Sequence, residues 1–168
     1  MEIINYSVQW ARAEVFSAQM VFLLGLVTLL VSLGFYVFGE TPIARAYILP
    51  MLLSGLFLVA AAGGLYYANK PRVEHFSEQY EQNAKQFVQS ELERTAKSDH
   101  DLHLMVYRVL PAIVIACAVA VFFVTGAYGR AWLVSLMILG SVMMAIDSNT
   151  HRRTADYRQQ LIQYEQKV

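Results

Sequence analysis

The histidines and aspartates between positions 99 and 103 are the one cluster in this sequence whose side chains could bind a metal ion. His100 and His103 are three residues apart, which places both on one face of a helix, and Asp99 and Asp101 lie beside them. An i, i+3 histidine pair can chelate, but most structural metal sites need three or four ordered ligands. The alternative is that Ser98 and Asp101 form a helix start resembling a capping box and that the histidines are solvated. We favour this alternative and predict no metal and no cofactor.

Catalytic motifs are missing from the sequence. It contains no Gly-x-Ser-x-Gly, no phosphate-binding glycine-rich loop and no His-Glu-x-x-His. No histidine lies inside an apolar run, so two histidines could not hold a haem within a bundle of apolar helices. We therefore predict that the chain is not an enzyme.

The acidic residues lie away from the centres of the apolar runs. Glu14, Glu40 and Asp147 are at their edges, whereas proton- and ion-coupled transporters usually place carboxylates within the membrane. A passive channel stays open as an alternative. Its lining would be the hydroxyls of Thr28, Ser32, Ser54 and Ser141, although such hydroxyls more often bond the backbone of their own helix.

Two arginines, Arg45 and Arg130, stand at the starts of the second and fourth apolar runs. As a repeated pair they are candidates for contacts with lipid phosphate. The plainer interpretation, which we favour, is that they snorkel to the headgroups and anchor the two helices.

Composition identifies the elements that carry these residues. The 168-residue chain is 57% hydrophobic and 15% charged, where a soluble domain would be about half apolar and about a quarter charged. Four apolar runs, 18–38, 43–67, 105–125 and 127–146, match or nearly match the roughly 20 residues that cross a bilayer. We predict an all-α membrane protein with four transmembrane helices. Its single cysteine, Cys117, excludes an intrachain disulfide.

The sequence also contains an internal repeat. The run that begins Arg45-Ala46-Tyr47 recurs 85 positions later as Arg130-Ala131-Trp132, and Tyr80-Glu81-Gln82 recurs 84 positions later as Tyr164-Glu165-Gln166. Each unit holds two apolar runs, so both units start on the same side of the membrane. We predict two parallel helical hairpins with amphipathic cytoplasmic helices, in units 1–97 and 98–168.

Basic residues set the predicted orientation. Two of the 13 lie at the hairpin tips, and the others lie in the N-terminal segment, the central link, the start of the third run and the tail. The positive-inside rule places those regions in the cytoplasm. We predict an integral protein of the bacterial inner membrane with both termini cytoplasmic. The formal net charge of zero gives no reason to expect nucleic-acid binding.

Small residues mark candidate helix contacts, because association in lipid depends on close packing. One alanine stripe recurs every four residues in the third run, and two glycine–alanine pairs occupy equivalent places in the two repeats. The candidates are Gly55, Ala60, Ala112, Ala116, Ala120, Gly140 and Ala145.

Outside the apolar runs, aromatic and aliphatic residues recur at helical spacing. We expect the cytoplasmic helices to pack on one another through Phe76, Tyr80, Phe87, Tyr157, Leu161 and Tyr164. Helices lying flat on lipid are the alternative. We place a helix start at Asp99, leading into the third run. The central link must then lean or turn before Lys97, since a helix over 71–97 would be about 40 Å long.

Taken together, these patterns favour a non-catalytic membrane subunit or scaffold. It would be embedded in the lipid bilayer and assemble with itself or with other membrane proteins through helix packing. The alternative is a channel or transporter formed by the bundle or its oligomer.

Overall fold

The computed structural model describes residues 2–166, which are helical apart from short links. The elements are α1 (Glu2–Phe38), α2 (Pro42–Gln82), α3 (Ala84–Leu104), a π-helical turn (Met105–Val109), α4 (Leu110–Phe123) and α5 (Ala127–Glu165). Because α3, the π-helical turn and α4 follow one another without a gap, they form a single long helical rod. Residues 2–166 therefore contain four such rods. Each rod is long and apolar enough to cross a membrane, which confirms the prediction of an all-α chain with four candidate spans.

The rods are longer than a bilayer requires. They contain 37, 41, 40 and 39 residues, which corresponds to lengths of about 56–62 Å at 1.5 Å per residue. The hydrocarbon core of a bilayer is about 30 Å thick. A large part of every rod therefore extends beyond its predicted span. The extending parts, residues 2–17, 68–104 and 147–166, are called the extramembrane bundle below.

The central link turns at Asn83, so the predicted helix start at Asp99 is wrong. Asn83 has an extended backbone (φ −159°, ψ 91°), and its backbone N–H donates to the Gln79 carbonyl at the end of α2. The Asn83 side-chain oxygen accepts from Gln86 N at 3.0 Å and caps α3. Asp99 therefore lies inside α3, and the boundary between units 1–97 and 98–168 falls within one continuous helix.

Glycines allow close approach between the helices of each pair. A Cβ built on Gly55 of α2 would lie 2.8 Å from the Leu29 side chain and 3.1 Å from its backbone nitrogen, on α1. A Cβ on Gly140 of α5 would lie 2.9 Å from a methyl group of Val114 on α4. Helix α5 packs against α1, α2 and α3 as well as α4. Helix α4 packs on α5 and the adjoining π-helical turn.

Substitution of Gly55 tests this close approach. Gly55→Ala forces its new methyl group against Leu29, and such overpacking costs about 1–3 kcal/mol of unfolding free energy. Gly64→Ala is the matched control, because nothing lies within 4 Å of its Cβ position, and alanine favours a helix over glycine by up to about 1 kcal/mol. Thermal unfolding in detergent should therefore show a lower Tm for Gly55→Ala and an unchanged or higher Tm for Gly64→Ala. Equal Tm values for the two variants would contradict the close approach.

Candidate functional site

The predicted small-residue contacts divide into two groups. Gly55 and Gly140 are buried at contacts between helices. Ala60 and Ala145 are exposed, so neither lies in the interior of the chain. As contacts with another chain, these two alanines stay a prediction.

The alanine stripe of α4 faces mainly outward. Ala112 and Ala116 are exposed, and Ala120 is half-buried. Among the described residues of α4, Cys117 is the one that is buried, and Val114, three residues before it, lies at the close approach to Gly140 of α5. The alanine stripe is therefore free of contacts over most of its length, and its use would need a neighbouring chain.

The two repeated arginines make the same contact with the backbone. Arg45 Nε donates to the Gly39 carbonyl at 3.2 Å, and Arg130 Nε donates to the Val124 carbonyl at 2.6 Å. Each acceptor lies six residues earlier in the chain, where the preceding helix ends and its carbonyls lack helical partners. Both arginines are exposed, so their remaining N–H groups are free for the predicted headgroup contacts.

The hydroxyls of the spans have different surroundings. Thr28 donates to the Leu24 carbonyl of its own helix, whereas Ser32 donates to the Ile48 carbonyl of α2 at 2.7 Å. Ser141 is exposed. Ser54 and Thr28 line an 80 Å³ cavity between α1, α2 and α5 together with Ser135, whose buried hydroxyl has no hydrogen-bond partner.

The histidine cluster does not come together as a metal site. His100, Asp101 and His103 are exposed. Asp99 faces α5 instead, where its carboxylate lies 3.0 Å from His151 Nδ1. Within residues 2–166, no group of three or more His, Cys, Asp or Glu side chains is placed to hold a metal ion.

The predicted aromatic contacts gather in the extramembrane bundle. Its apolar core combines residues of α1, α2, α3 and α5: Ile3, Trp10, Ala11, Phe76, Phe87, Val88, Tyr157 and Leu161, with Tyr80 and Tyr164 packed against them. The Phe76 and Phe87 rings meet edge to face at 5.3 Å. The hydroxyls of Tyr80 and Tyr164, equivalent residues of the two repeats, lie 2.7 Å apart.

Tyr157 joins three helices at the centre of this core. Its hydroxyl lies 2.9 Å from Ser7 Oγ on α1 and 3.1 Å from Glu91 Oε2 on α3. Since the phenol has one hydrogen, these two acceptors share it. Burial, reinforced by the nearby Glu91 carboxylate, raises the pKa of Tyr157, so the phenol stays protonated.

The buried Glu91 carboxylate is fully engaged. Arg94 donates to both of its oxygens, from Nε at 2.8 Å and from a terminal nitrogen at 2.6 Å. The Arg94 guanidinium also lies 4.4 Å from the centroid of the Trp10 ring, which stacks on Tyr157 at 5.3 Å. Burial, with the Arg94 charge as the next cause, lowers the pKa of Arg72. Both oxygens of Glu91 thus accept hydrogen bonds, Oε1 from Arg94 and Oε2 from Arg94 and Tyr157, and the carboxylate is held in a fixed charge-assisted pair with Arg94.

A second ion pair connects α1 and α5 nearer the predicted spans. A terminal nitrogen of Arg153 lies 2.9 Å from Glu14 Oε1 and also donates to Thr150 Oγ1 at 3.3 Å. Burial raises the pKa of Glu14 above its ordinary value of 4.5, and the Arg153 charge opposes this only in part.

Sequence reasoning missed Ser7, Glu14 and Glu91 as buried groups. The signal that could have found Ser7 and Glu14 is the heptad-like spacing of the buried positions in α1. The stripe consists of Ile3, Ser7, Trp10, Glu14, Ala18, Val21 and Gly25, and the other buried residues of α1 are Ala11 and Ser32. The stripe was not recognised from apolar residues alone, because Ser7 and Glu14 within it are polar.

Removal of the Tyr157 hydroxyl tests the junction. Tyr157→Phe leaves the buried Glu91 and Ser7 without a shared donor, which should cost about 1–3 kcal/mol of unfolding free energy. Tyr80→Phe is the matched control, because its hydroxyl contacts the half-buried Tyr164 and its loss should cost about 0.5–1 kcal/mol. If chemical unfolding showed equal destabilisation by Tyr157→Phe and Tyr80→Phe, the Tyr157 hydroxyl would not be a special link between α1, α3 and α5.

The raised pKa of Glu14 predicts a pH dependence. The folded state binds the Glu14 proton more tightly than the unfolded state, so the stabilising contribution of Glu14 is complete below pH 4.5 and is lost as pH rises through the folded pKa. Relative to Glu14→Gln, which cannot titrate, the wild type should therefore lose Tm as pH is raised above 4.5. A Tm difference that stays constant or grows in favour of the wild type would contradict the pKa direction.

Comparison with known proteins adds no relative from which a function could be carried over. No protein-family model, curated protein or solved structure matches the chain. Its own contacts, burial and charges are therefore the basis for assigning a function.

Proposed function

We propose that the chain is a non-catalytic integral membrane subunit or scaffold, which assembles with itself or with other membrane proteins through helix packing. The observation that carries the proposal is the position of α4. Within the described residues, α4 packs on α5 and the adjoining π-helical turn only, and Ala112 and Ala116 face away from the chain. Helices associate in lipid through small residues, because these let backbones approach closely.

The extramembrane bundle supports the same proposal. Ser7, Glu91 and Tyr157 tie three helices together below the spans. A rod anchored in this way can present α4 to a partner in a fixed orientation, which reduces the entropy lost on association.

We further propose that the chain consists of two parallel hairpin repeats, units 1–97 and 98–168. The equivalent backbone contacts of Arg45 and Arg130 support this arrangement. The close approaches at Gly55 and Gly140, 85 positions apart, give independent support. On this proposal, α3 is continuous across the boundary between the units.

The proposed location is the bacterial inner membrane, with both termini and the extramembrane bundle in the cytoplasm. Basic residues support this orientation, since they are concentrated beyond the spans at the end that carries the bundle. The proposed partners are the lipid bilayer and either further copies of the chain or other membrane proteins.

A channel is the second candidate, and the hydroxyl-lined cavity favours it. The unpartnered Ser135 hydroxyl lies at an 80 Å³ cavity with Thr28 and Ser54, a volume sufficient for about two waters at about 30 Å³ each. A conducting path would need this cavity to open toward both sides of the membrane.

Substituting a larger side chain on the alanine face of α4 tests assembly through this helix. Ala116→Leu places a larger side chain at the proposed contact and should shift the native mass of the detergent-extracted complex toward the single chain. Ile115→Trp is the control, because Ile115 is 63% exposed and points about 100° away around the helix. Native mass spectrometry with identification of co-purifying proteins gives the readout.

The outcomes separate the candidates. A complex that persists with Ile115→Trp and is lost with Ala116→Leu supports assembly through the alanine face. A wild-type protein that is monomeric and free of partners contradicts the subunit proposal. A closed homo-oligomer that conducts ions in liposomes favours the channel.

A further inference from the structure

A groove between α1 and α2 lies where their predicted spans meet the extramembrane bundle. It has a volume of about 280 Å³, and Ala18, Phe22, Ala62, Gly63 and Tyr66 are among its lining residues. Ala18 and Ala62 are each 1% exposed and form its floor. Nothing lies within 4 Å of the Cβ position of Gly63, so the absence of a side chain there keeps the groove open.

Basic side chains stand beside the end of the groove nearest the extramembrane bundle. Lys70 is one turn beyond Tyr66, and its ammonium nitrogen lies 5.5 Å from the centroid of the Tyr66 ring. Arg12 is exposed and precedes Gln19, another lining residue, by two turns on the same face of α1. Neither Lys70 nor Arg12 takes part in an ion pair with the described side chains. Glu74, the next acid along that face of α2, lies a further turn from the span.

We propose that this groove binds one anionic phospholipid, with an acyl chain against Ala18, Ala62 and Gly63 and the headgroup phosphate beside Lys70. The apolar lining lies within the predicted spans and the cations lie just beyond them, which matches the order of chain and phosphate in a lipid. Aromatic residues such as Tyr66 are typical of the interface between those two regions. Attraction between a basic side chain and an anionic headgroup gives the site its preference for charge.

Charge favours a lipid over a helix of another protein as the occupant, because Lys70 and Arg12 beside the groove have no ion-pair partner among the described side chains. A flexible acyl chain is narrow enough to enter. The site is also separate from the alanine face of α4, so a bound lipid and a bound partner would not compete.

Lipid retention tests the proposal. The wild type and three variants are purified in mild detergent, incubated with an equal mixture of phosphatidylglycerol and phosphatidylcholine, and examined by native mass spectrometry. The wild type should retain one lipid, with phosphatidylglycerol in excess. Gly63→Leu fills the groove and should lose that lipid. Gly64→Leu is the matched control, since Gly64 adjoins Gly63, also has nothing within 4 Å of its Cβ position, and does not line the groove.

Lys70→Gln separates shape from charge. It leaves the groove open and should still retain a lipid, but with the preference for phosphatidylglycerol reduced about fivefold, which corresponds to about 1 kcal/mol for one basic residue beside an anionic surface. This variant keeps the proposal testable if Gly63→Leu does not fold. Equal retention by Gly63→Leu and Gly64→Leu, or an unchanged lipid preference in Lys70→Gln, would overturn the proposal. Neither result would bear on assembly through α4, which Ala116→Leu tests.

Discussion

The length of the helices imposes the constraint on which the rest of the structure depends. Rods of 37–41 residues are longer than the roughly 20 residues that cross a bilayer, so a third or more of each one extends beyond its predicted span. Their apolar residues there must be buried against one another, or against lipid. The structure adopts the first solution. Four helices contribute to one apolar core, and Tyr157 of α5 joins three of them, because it contacts Ser7 of α1 and Glu91 of α3 and stacks on Trp10.

The two ends of the molecule are therefore packed by opposite rules. In the predicted spans, small residues such as Gly55 and Gly140 are buried and large ones such as Phe122 and Phe38 are exposed, as expected for helices whose large apolar side chains face lipid. In the extramembrane bundle, Phe76 and Phe87 are each only 3% exposed, because contact between large apolar side chains and water is unfavourable. Helix α1 changes from one rule to the other along a buried stripe that runs from Ile3 to Gly25. At the transition, the buried carboxylate of Glu14 is tolerated because Arg153 pairs with it.

Apolar run length was enough to predict four helices that are long and apolar enough to span a membrane, because lipid permits few alternatives to a helix. The spacing of Phe76, Tyr80 and Phe87 was likewise enough to predict a shared face. The turn at Asn83 was not predictable in this way, since Asn83 and Ser98 both offer helix-capping side chains and only the packed bundle selects between them. The inward face of α4 was missed because that helix is apolar on all sides. The positions of its alanines did not indicate which face is inward. The inward residues are Val114, which approaches Gly140 of α5, and the buried Cys117.

The most direct test of the packed extramembrane bundle is a distance between its two exit helices in lipid. Spin labels would replace Tyr80 and Tyr164, the equivalent residues whose hydroxyls lie 2.7 Å apart, in a Cys117→Ser background that removes the one native cysteine. Double electron–electron resonance in nanodiscs should give a single narrow distribution at the short limit of the method. A broad distribution at long distances, as expected for two helices lying separately on the membrane surface, would contradict the account.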